Sequence, residues 1–588
     1  MLNIKTNIAE VLLGGVTQAC PEAALDVQTL VTWLEYPPDA SMGDLAFPCF
    51  KLSKIMRRSP VQIATALAEK VAAECECVAS AENVNGYLNM KIKGDYLVGS
   101  VLPEILTKGE TYGAPDMGKG KTVVLDYSSP NLAKPFHVGH LGTTVIGHSL
   151  KKLHEFAGYK CVGINYVGDW GTQFGKLIVA YKKWGDRKTV EEGGVDALVD
   201  LYVRINNAIS GNEEMGIVAD PTLAAEARAE FLKMEQGDEE NLALWKWLVQ
   251  MSLNANEETY KQLGITFDSY KGESFYTDKM PAQINKLREA GLLTISDGAS
   301  IVDLEKYGMP PCLILKSDGA SLYPARDIAA AVDRKEEYNY DKMIYVTAAQ
   351  QSLHFAQWFK VVELMGYDWY EQLIHVPYGM VSINGAKLAT RTGNVVLLRD
   401  LFAAAIEKVR QIMDEKNPNL PNKDEAAEAV GVGAVVFYYL SNNRIKDINF
   451  IMEDALSYDG NTGPYVQYTY ARTCSIMNKA AEAGCTIDAA MVASDAALAL
   501  TMQESELLKT LSRFGECVLG AIRDLEPSEI TRYILDVAAA FNRFYHDCSI
   551  LSAEDAKVRD FRVALTAATR TVLGNAFELI CLRKIEQI

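Results

Sequence analysis

The residues of this chain best suited to chemistry lie in NLAKPFHVGH, Asn131 to His140. Two histidines three apart at the start of a helix sit about one turn from each other on a shared face, so both imidazoles can address one ligand. Gly139 between them omits a side chain where a flat base or a ribose would approach the backbone. Imidazole N–H groups and the free N–H groups of a helix start meet phosphate oxygens, and ATP is the ligand this suits. HxGH alone is weak evidence, because two histidines on one turn are often one core and one surface residue. The flanks decide: extended KTVVLDYSS precedes the turn and helical LGTTVIGHSLKKLHEFAG follows it, the order in which an α/β sheet binds nucleotides. A second basic stretch, KLATRTG from Lys387 to Gly393, follows HVPYGMVSI and the turn Asn384-Gly385. A glycine-ended basic loop can fold over a triphosphate and neutralise charge as pyrophosphate leaves.

These segments need a frame. At 588 residues the chain is too long for one core, which implies several domains. Residues 1–112 alternate a helix, extended GDLAFPCF, the helix PVQIATALAEKVAAE and the strand VNGYLNMKI, a compact α+β unit followed by the linker APDMGKGK. Residues 113–450 read βαβα, with strands VVLDY, CVGINYV, CLILKS, MIYV and HVPYGMV. That alternation predicts a parallel, Rossmann-type sheet covered by helices. An acidic, Ala- and Glu-rich stretch, about 186–290, reads as a helical insertion between its halves. Residues 451–588 are read as all-helical, with amphipathic runs such as ESELLKTLSRFGECVLGAIRDL.

Composition narrows the classes. Hydrophobic residues make up 49% and charged residues 23%, as in ordinary soluble proteins. No apolar run is long enough to span a bilayer, GVGAVVFYYL being the nearest approach. The start, MLNIKTNIAEVLLGG, reads as a helix and not as a targeting segment, so a cytoplasmic protein is expected. Eleven cysteines without a CxxC pair argue against a disulfide framework or zinc cage. A net charge of −18 argues at first sight against a nucleic-acid partner. Local patches decide binding, however, and Lys51, Lys54, Arg57 and Arg58 form one candidate.

DYSSPNLAKPFHVGHLGTTVIG closely resembles the first signature of class I aminoacyl-tRNA synthetases in the form found in arginyl-tRNA synthetases. INYVGDWGTQFGKLI, SLYPARDIAAA, IYVTAAQQSLHFAQWF and DGNTGPYVQYTYAR are similar to further stretches of that family, as are MGDLAFPCFKLSKIMRRSPVQIATALAEK and NVNGYLNMKI near the amino end. Departures exist. Tyr166 stands where a histidine is more usual, and Gly142 where arginine is common. KLATRTG resembles the second class I signature with Leu388 and Ala389 for Met and Ser, and Thr390 where many members have the key lysine.

The resemblance implies an arginine–tRNA ligase: ATP with Mg²⁺ activates L-arginine to an adenylate, which is transferred to the terminal adenosine of tRNA(Arg). It implies Lys134, His137, His140, Lys387 and Arg391 as catalytic residues, with Gly139 also at ATP and Lys134 standing in for the missing loop lysine. The arginine pocket would comprise Asp126, Ser128, Asn131, Tyr323, Asp327 and Gln351. A guanidinium offers five planar donors and is always charged, so its pocket must present carboxylates. Tyr323 and Asp327 share a helix face and are expected to hold it, with Asn131, Gln351 and Asp126 or Ser128 at the amino-acid head. The resemblance also implies anticodon binding by the helical part, where Tyr465, Tyr468 and Tyr470 could stack on bases, contact of the N-terminal domain with tRNA, a monomer, no membrane partner and no tightly held metal. A small HxGH nucleotidyltransferase, a different class I synthetase and a catalytically dead RNA-binding paralogue are the alternatives.

Overall fold

The computed structural model describes residues 1–588 except 133, 135, 214, 318, 388–395, 486 and 488–498, and without the side chains of 40, 386 and 387. The amino-terminal part packs helices Leu2–Ala19 and Pro60–Glu74 on an antiparallel sheet of β1 (Leu45–Pro48), β2 (Val78–Val84) and β3 (Tyr87–Ile92), ordered β1-β3-β2. The second helix starts on a capping box, Ser59 with Gln62, and has proline at its first turn. VNGYLNMKI is not one strand. Asn85 and Gly86 both have positive φ and turn β2 into β3, the Asn-Gly hairpin chemistry that the single-strand reading passed over.

The central sheet is parallel and ordered β10-β9-β4-β5, with β4 Thr122–Asp126, β5 Lys160–Ile164, β9 Lys342–Ala348 and β10 Leu373–Tyr378. From β4 the chain steps outward one way to β5 and later returns on the other side as β9. The strand order therefore reverses between β4 and β9, where open α/β sheets hold ligands beyond their strands' carboxyl ends. Residues 123–126 are buried, as strands covered on both faces require.

CLILKS does not belong to this sheet. As β8 (Cys312–Leu315) it closes a separate antiparallel meander with β6 (Leu293–Ser296) and β7 (Ala299–Val302). A short apolar run does not encode its partner, and the turn Asp297-Gly298, with both φ positive, pairs β6 with β7 locally. HVPYGMV likewise divides: β10 ends at Tyr378, and β11 (Val381–Ile383) pairs with β12 (Ala386–Lys387) and β13 (Ile448–Phe450).

Helices Arg187–Ser210, Thr222–Glu235 and Glu239–Leu263 supply most of the inserted stretch. Beyond β13, helices Gly463–Glu482, Met502–Ser512, Phe514–Asp524, Ser528–Asp547 and Ala556–Leu579 pack together, and ESELLKTLSRFGECVLGAIRDL proves to be two helices. Lys5 of the first helix pairs with Glu516, and the Tyr36 hydroxyl donates to Glu516 at 2.5 Å, so the two ends of the chain are tied. GVGAVVFYYL lies in the buried helix Lys423–Leu440, and among the described residues no helix is long and apolar enough to cross a membrane.

Candidate active site

The histidine turn is built as a reciprocal cap. His137 is the N-cap of the turn Val138–His140, which runs into the helix Leu141–Phe156. The Nδ1 of His137 accepts the Gly139 N–H at 3.0 Å, and the Nδ1 of His140 accepts the His137 N–H at 3.1 Å. With Nδ1 engaged as acceptor, each neutral ring carries its proton on Nε2. Burial keeps both rings neutral: desolvation lowers the His137 pKa, assisted by the Lys134 charge, and takes that of His140 to about 3, assisted by His137 and Lys134. The rings stand 4.0 Å apart, and His140 stacks on Phe136. The turn is thus a pair of fixed N–H donors beside a lysine charge. A Cβ at Gly139 would meet the His137 ring at 2.7 Å, so glycine there is required by the ring as well as by any ligand.

The described residues on either side of the basic stretch are fixed. Lys387 ends β12, while Val138 N–H donates to Val396 and Leu398 N–H to Phe136, so the segment after the loop is tied to the histidine turn. The side chain of Lys387, and Leu388, Ala389, Thr390, Arg391 and Gly393, lie outside the described residues.

Three carboxylates, Asp327, Glu273 and Asp169, lie within electrostatic reach of one another. Tyr323 and Asp327 lie one turn apart on the helix Tyr323–Tyr338; Tyr323 is 66% exposed, and an Asp327 oxygen is 2.6 Å from Nε2 of His354. Glu273 pairs with Arg326 at 2.6 Å, and Asp169 accepts from the N–H and hydroxyl of Ser274. Burial raises the Glu273 pKa to about 7; Arg326 pulls it back, while Asp327 and Asp169 push it up. Gln351 is exposed in the turn that follows β9, and Asn131 is exposed and bridged to Gly168, where a Cβ would meet the Asn131 amide oxygen at 2.2 Å.

Asp126 and Ser128 are different. Asp126 is 5% exposed, accepting from the Ser129 hydroxyl at 2.7 Å and from Arg334 at 2.8 Å. Ser128 is buried, its hydroxyl on Tyr260 at 2.7 Å and on Thr144 at 2.9 Å. Sequence reasoning missed Glu273, His354 and Arg334. Glu273 fell within the stretch read only as a helical insertion, and His354 within IYVTAAQQSLHFAQWF, quoted for its resemblance without this residue being picked out. The space at Gly142 is filled by Tyr439, whose hydroxyl would lie 2.2 Å from a Cβ there. In the helical part, Tyr470 is buried and the Tyr465 hydroxyl accepts from Asn542 at 3.0 Å, leaving Tyr468 facing outward.

A parallel sheet with a histidine turn at its switch point defines an α/β nucleotide-binding enzyme fold. Comparison with known proteins carries this further. Residues 101–452 match the family "tRNA synthetases class I (R), catalytic domain", 466–588 the DALR anticodon binding domain, and 3–92 the arginyl tRNA synthetase N terminal domain. The arginine–tRNA ligase of Alkaliphilus metalliredigens is 47% identical over 95% of this chain and 96% of its own length, and that of Clostridioides difficile 47% over 96% and 97%. Thermus thermophilus arginyl-tRNA synthetase superposes with a TM-score of 0.80 over 98% of this chain and 99% of its own, at 24% identity, which speaks for the fold. The chain belongs to the arginyl-tRNA synthetase family of class I aminoacyl-tRNA synthetases.

Proposed function

We propose that this chain is an arginine–tRNA ligase, active in the cytoplasm as a monomer and working in three parts, 1–112, 113–450 and 451–588. The observation that carries the chemistry is the locked histidine pair, two neutral Nε2–H donors with a lysine charge beside them at the sheet's switch point. The arginine carboxylate attacks the α-phosphorus of ATP, and the bond to the bridging oxygen breaks as pyrophosphate leaves. A terminal ribose hydroxyl of tRNA(Arg), the 2′-hydroxyl by class, then attacks the adenylate carbonyl and releases AMP. Neither step needs an enzyme nucleophile, so positioning and charge stabilisation carry the rate. His137 and His140 hold phosphate oxygens, Gly139 lets the nucleotide approach, and Lys134 with Lys387 and Arg391 offsets the departing charge. Mg²⁺ would arrive on the ATP phosphates.

Asp327 and Tyr323 grip the guanidinium, Glu273 adds a second carboxylate, and Asn131, Gln351 and the turn at Ser128 hold the head of the amino acid. Lysine is refused because a single ammonium cannot satisfy acceptors placed for a planar fork. In the helical part, a cleft of about 570 Å³ is lined by Tyr468, Arg472, Lys479 and Tyr545. The Arg472 guanidinium lies 4.8 Å from both tyrosine rings, a platform on which an unpaired tRNA base can stack. Exposed Lys54, Arg57 and Arg58 suit a tRNA backbone at the amino-terminal part.

The test is amino-acid-dependent ATP–pyrophosphate exchange across the standard amino acids, with and without bulk tRNA. Exchange with arginine alone is expected. Exchange with a different amino acid would refute the pocket, and none in either condition would refute the enzyme.

A further inference from the structure

The turn that joins β4 to the histidine segment is strained. Ser128 and Ser129 both adopt left-handed backbone, with φ of 69° and 46°. A Cβ in that region costs free energy, and consecutive non-glycine residues there are unusual. Ser129 also precedes Pro130, whose ring ordinarily drives its neighbour to extended backbone. Such a conformation persists only where its surroundings over-determine it.

Those surroundings are specific. The Ser129 hydroxyl donates to Asp126 at 2.7 Å and accepts the Tyr166 N–H at 3.2 Å, and the Ser129 N–H donates to Asn165 at 3.1 Å. The Ser128 N–H donates to the Thr143 hydroxyl at 3.0 Å. Asp126 is in turn held by Arg334, a guanidinium 1% exposed that lies 4.9 Å from the Tyr166 ring, 5.6 Å from Tyr276 and 5.9 Å from Tyr345. A charge so deeply buried is stable only with its partner in place, so Arg334 and Asp126 fix one another. The carboxylate then has one oxygen left for Ser129.

We infer that Asp126 and Arg334 are positioning residues: the buried pair clamps Ser129 in its left-handed conformation, and the clamped turn sets where Asn131 and the histidine turn meet the substrates. This rests on the ligase reading and departs from a direct contact between Asp126 and arginine.

The test is arginine-dependent ATP–pyrophosphate exchange with bulk tRNA present, in the full chain. Ser129→Gly and Ser129→Ala both lose the hydroxyl, but only glycine takes positive φ without penalty. Ser129→Ala is expected to have a kcat about five- to tenfold below that of Ser129→Gly, the scale of the left-handed penalty. Alanine equal to or better than glycine would overturn the inference without disturbing the buried pair. Asp126→Asn leaves one acceptor for two donors. It is expected to lower kcat about tenfold or more while the KM for arginine moves less than about threefold, and adding Ser129→Gly should restore most of that loss. A raised KM with kcat kept, unrelieved by Ser129→Gly, would show Asp126 touching arginine and would overturn the clamp alone. Absence of arginine-dependent exchange in the unsubstituted protein would overturn both readings.

Discussion

The two walls of the proposed site are built on opposite principles. On the nucleotide wall, residues 126–144, these polar groups are buried or half-buried and spoken for: His137 and His140 cap each other's turn, Ser128 is held by Tyr260 and Thr144, and Asp126 by Arg334. On the amino-acid wall Tyr323 stands mostly in solvent, Gln351 is exposed, and Asp327 and Glu273 rest on His354 and Arg326. Preorganised donors cost no reorganisation when charge develops. Partly buried carboxylates with exposed Tyr323 and Gln351 beside them leave acceptors for a ligand to complete, and that completion supplies selectivity. The nucleotide wall should therefore govern kcat, and the amino-acid wall KM.

The hardest test of that division is Asp327→Asn. Losing the carboxylate strands a guanidinium in the pocket, so the KM for arginine in exchange should rise on the order of 10²- to 10³-fold with a smaller change in kcat; an unchanged KM would remove Asp327 from the pocket. His140→Ala should do the reverse, lowering kcat on the order of 10²-fold, the scale of one lost oxyanion donor, while the KM for arginine stays within about threefold.

Acid should also loosen the helix Leu141–Phe156 that runs on from the histidine turn. Burial lowers the pKa of His140 and His148 to about 3 and that of His154 to about 4, below the unfolded value near 6.5. The unfolded chain therefore binds protons first as pH falls. The stability these rings contribute is complete above pH 6.5 and is lost between there and about pH 3–4, on the order of 1–3 kcal/mol for each ring. Denaturant titration at pH 7.5 and 4.5 should show the midpoint fall, and His154→Gln should flatten the dependence.

Glu273 offers a milder handle on the amino-acid wall. With its pKa near 7, the carboxylate is half protonated in the free enzyme at neutrality. kcat/KM for arginine should drop about tenfold from pH 8 to pH 6, and Glu273→Gln should remove that limb of the profile while lowering the plateau. The smallest effect expected is that of His354→Gln, whose amide can still donate to Asp327: the KM for arginine should rise about threefold, and further in His354→Ala. Equal effects in the two variants would show that the hydrogen bond at 2.6 Å contributes nothing to the pocket.

Much of this was legible in the linear chain. KTVVLDYSS followed by HVGH announced a strand, turn and helix, and Tyr323 and Asp327 share one face of the helix that their spacing implied. The errors were also local in origin. CLILKS was read as a strand without means to know its sheet, and the Asn85-Gly86 turn was absorbed into its neighbour.

What the sequence alone determined is the periodicity of each segment and the residue types at the turns, because backbone sterics and hydrophobic patterning act over a few neighbours. What only the tertiary structure decided is which distant groups share a buried charge. Arg334 lies 208 positions from Asp126, and Tyr260 lies 132 from Ser128. No local rule selects such partners. They are chosen because a charge or hydroxyl removed from water must find its complement wherever the folded chain brings one.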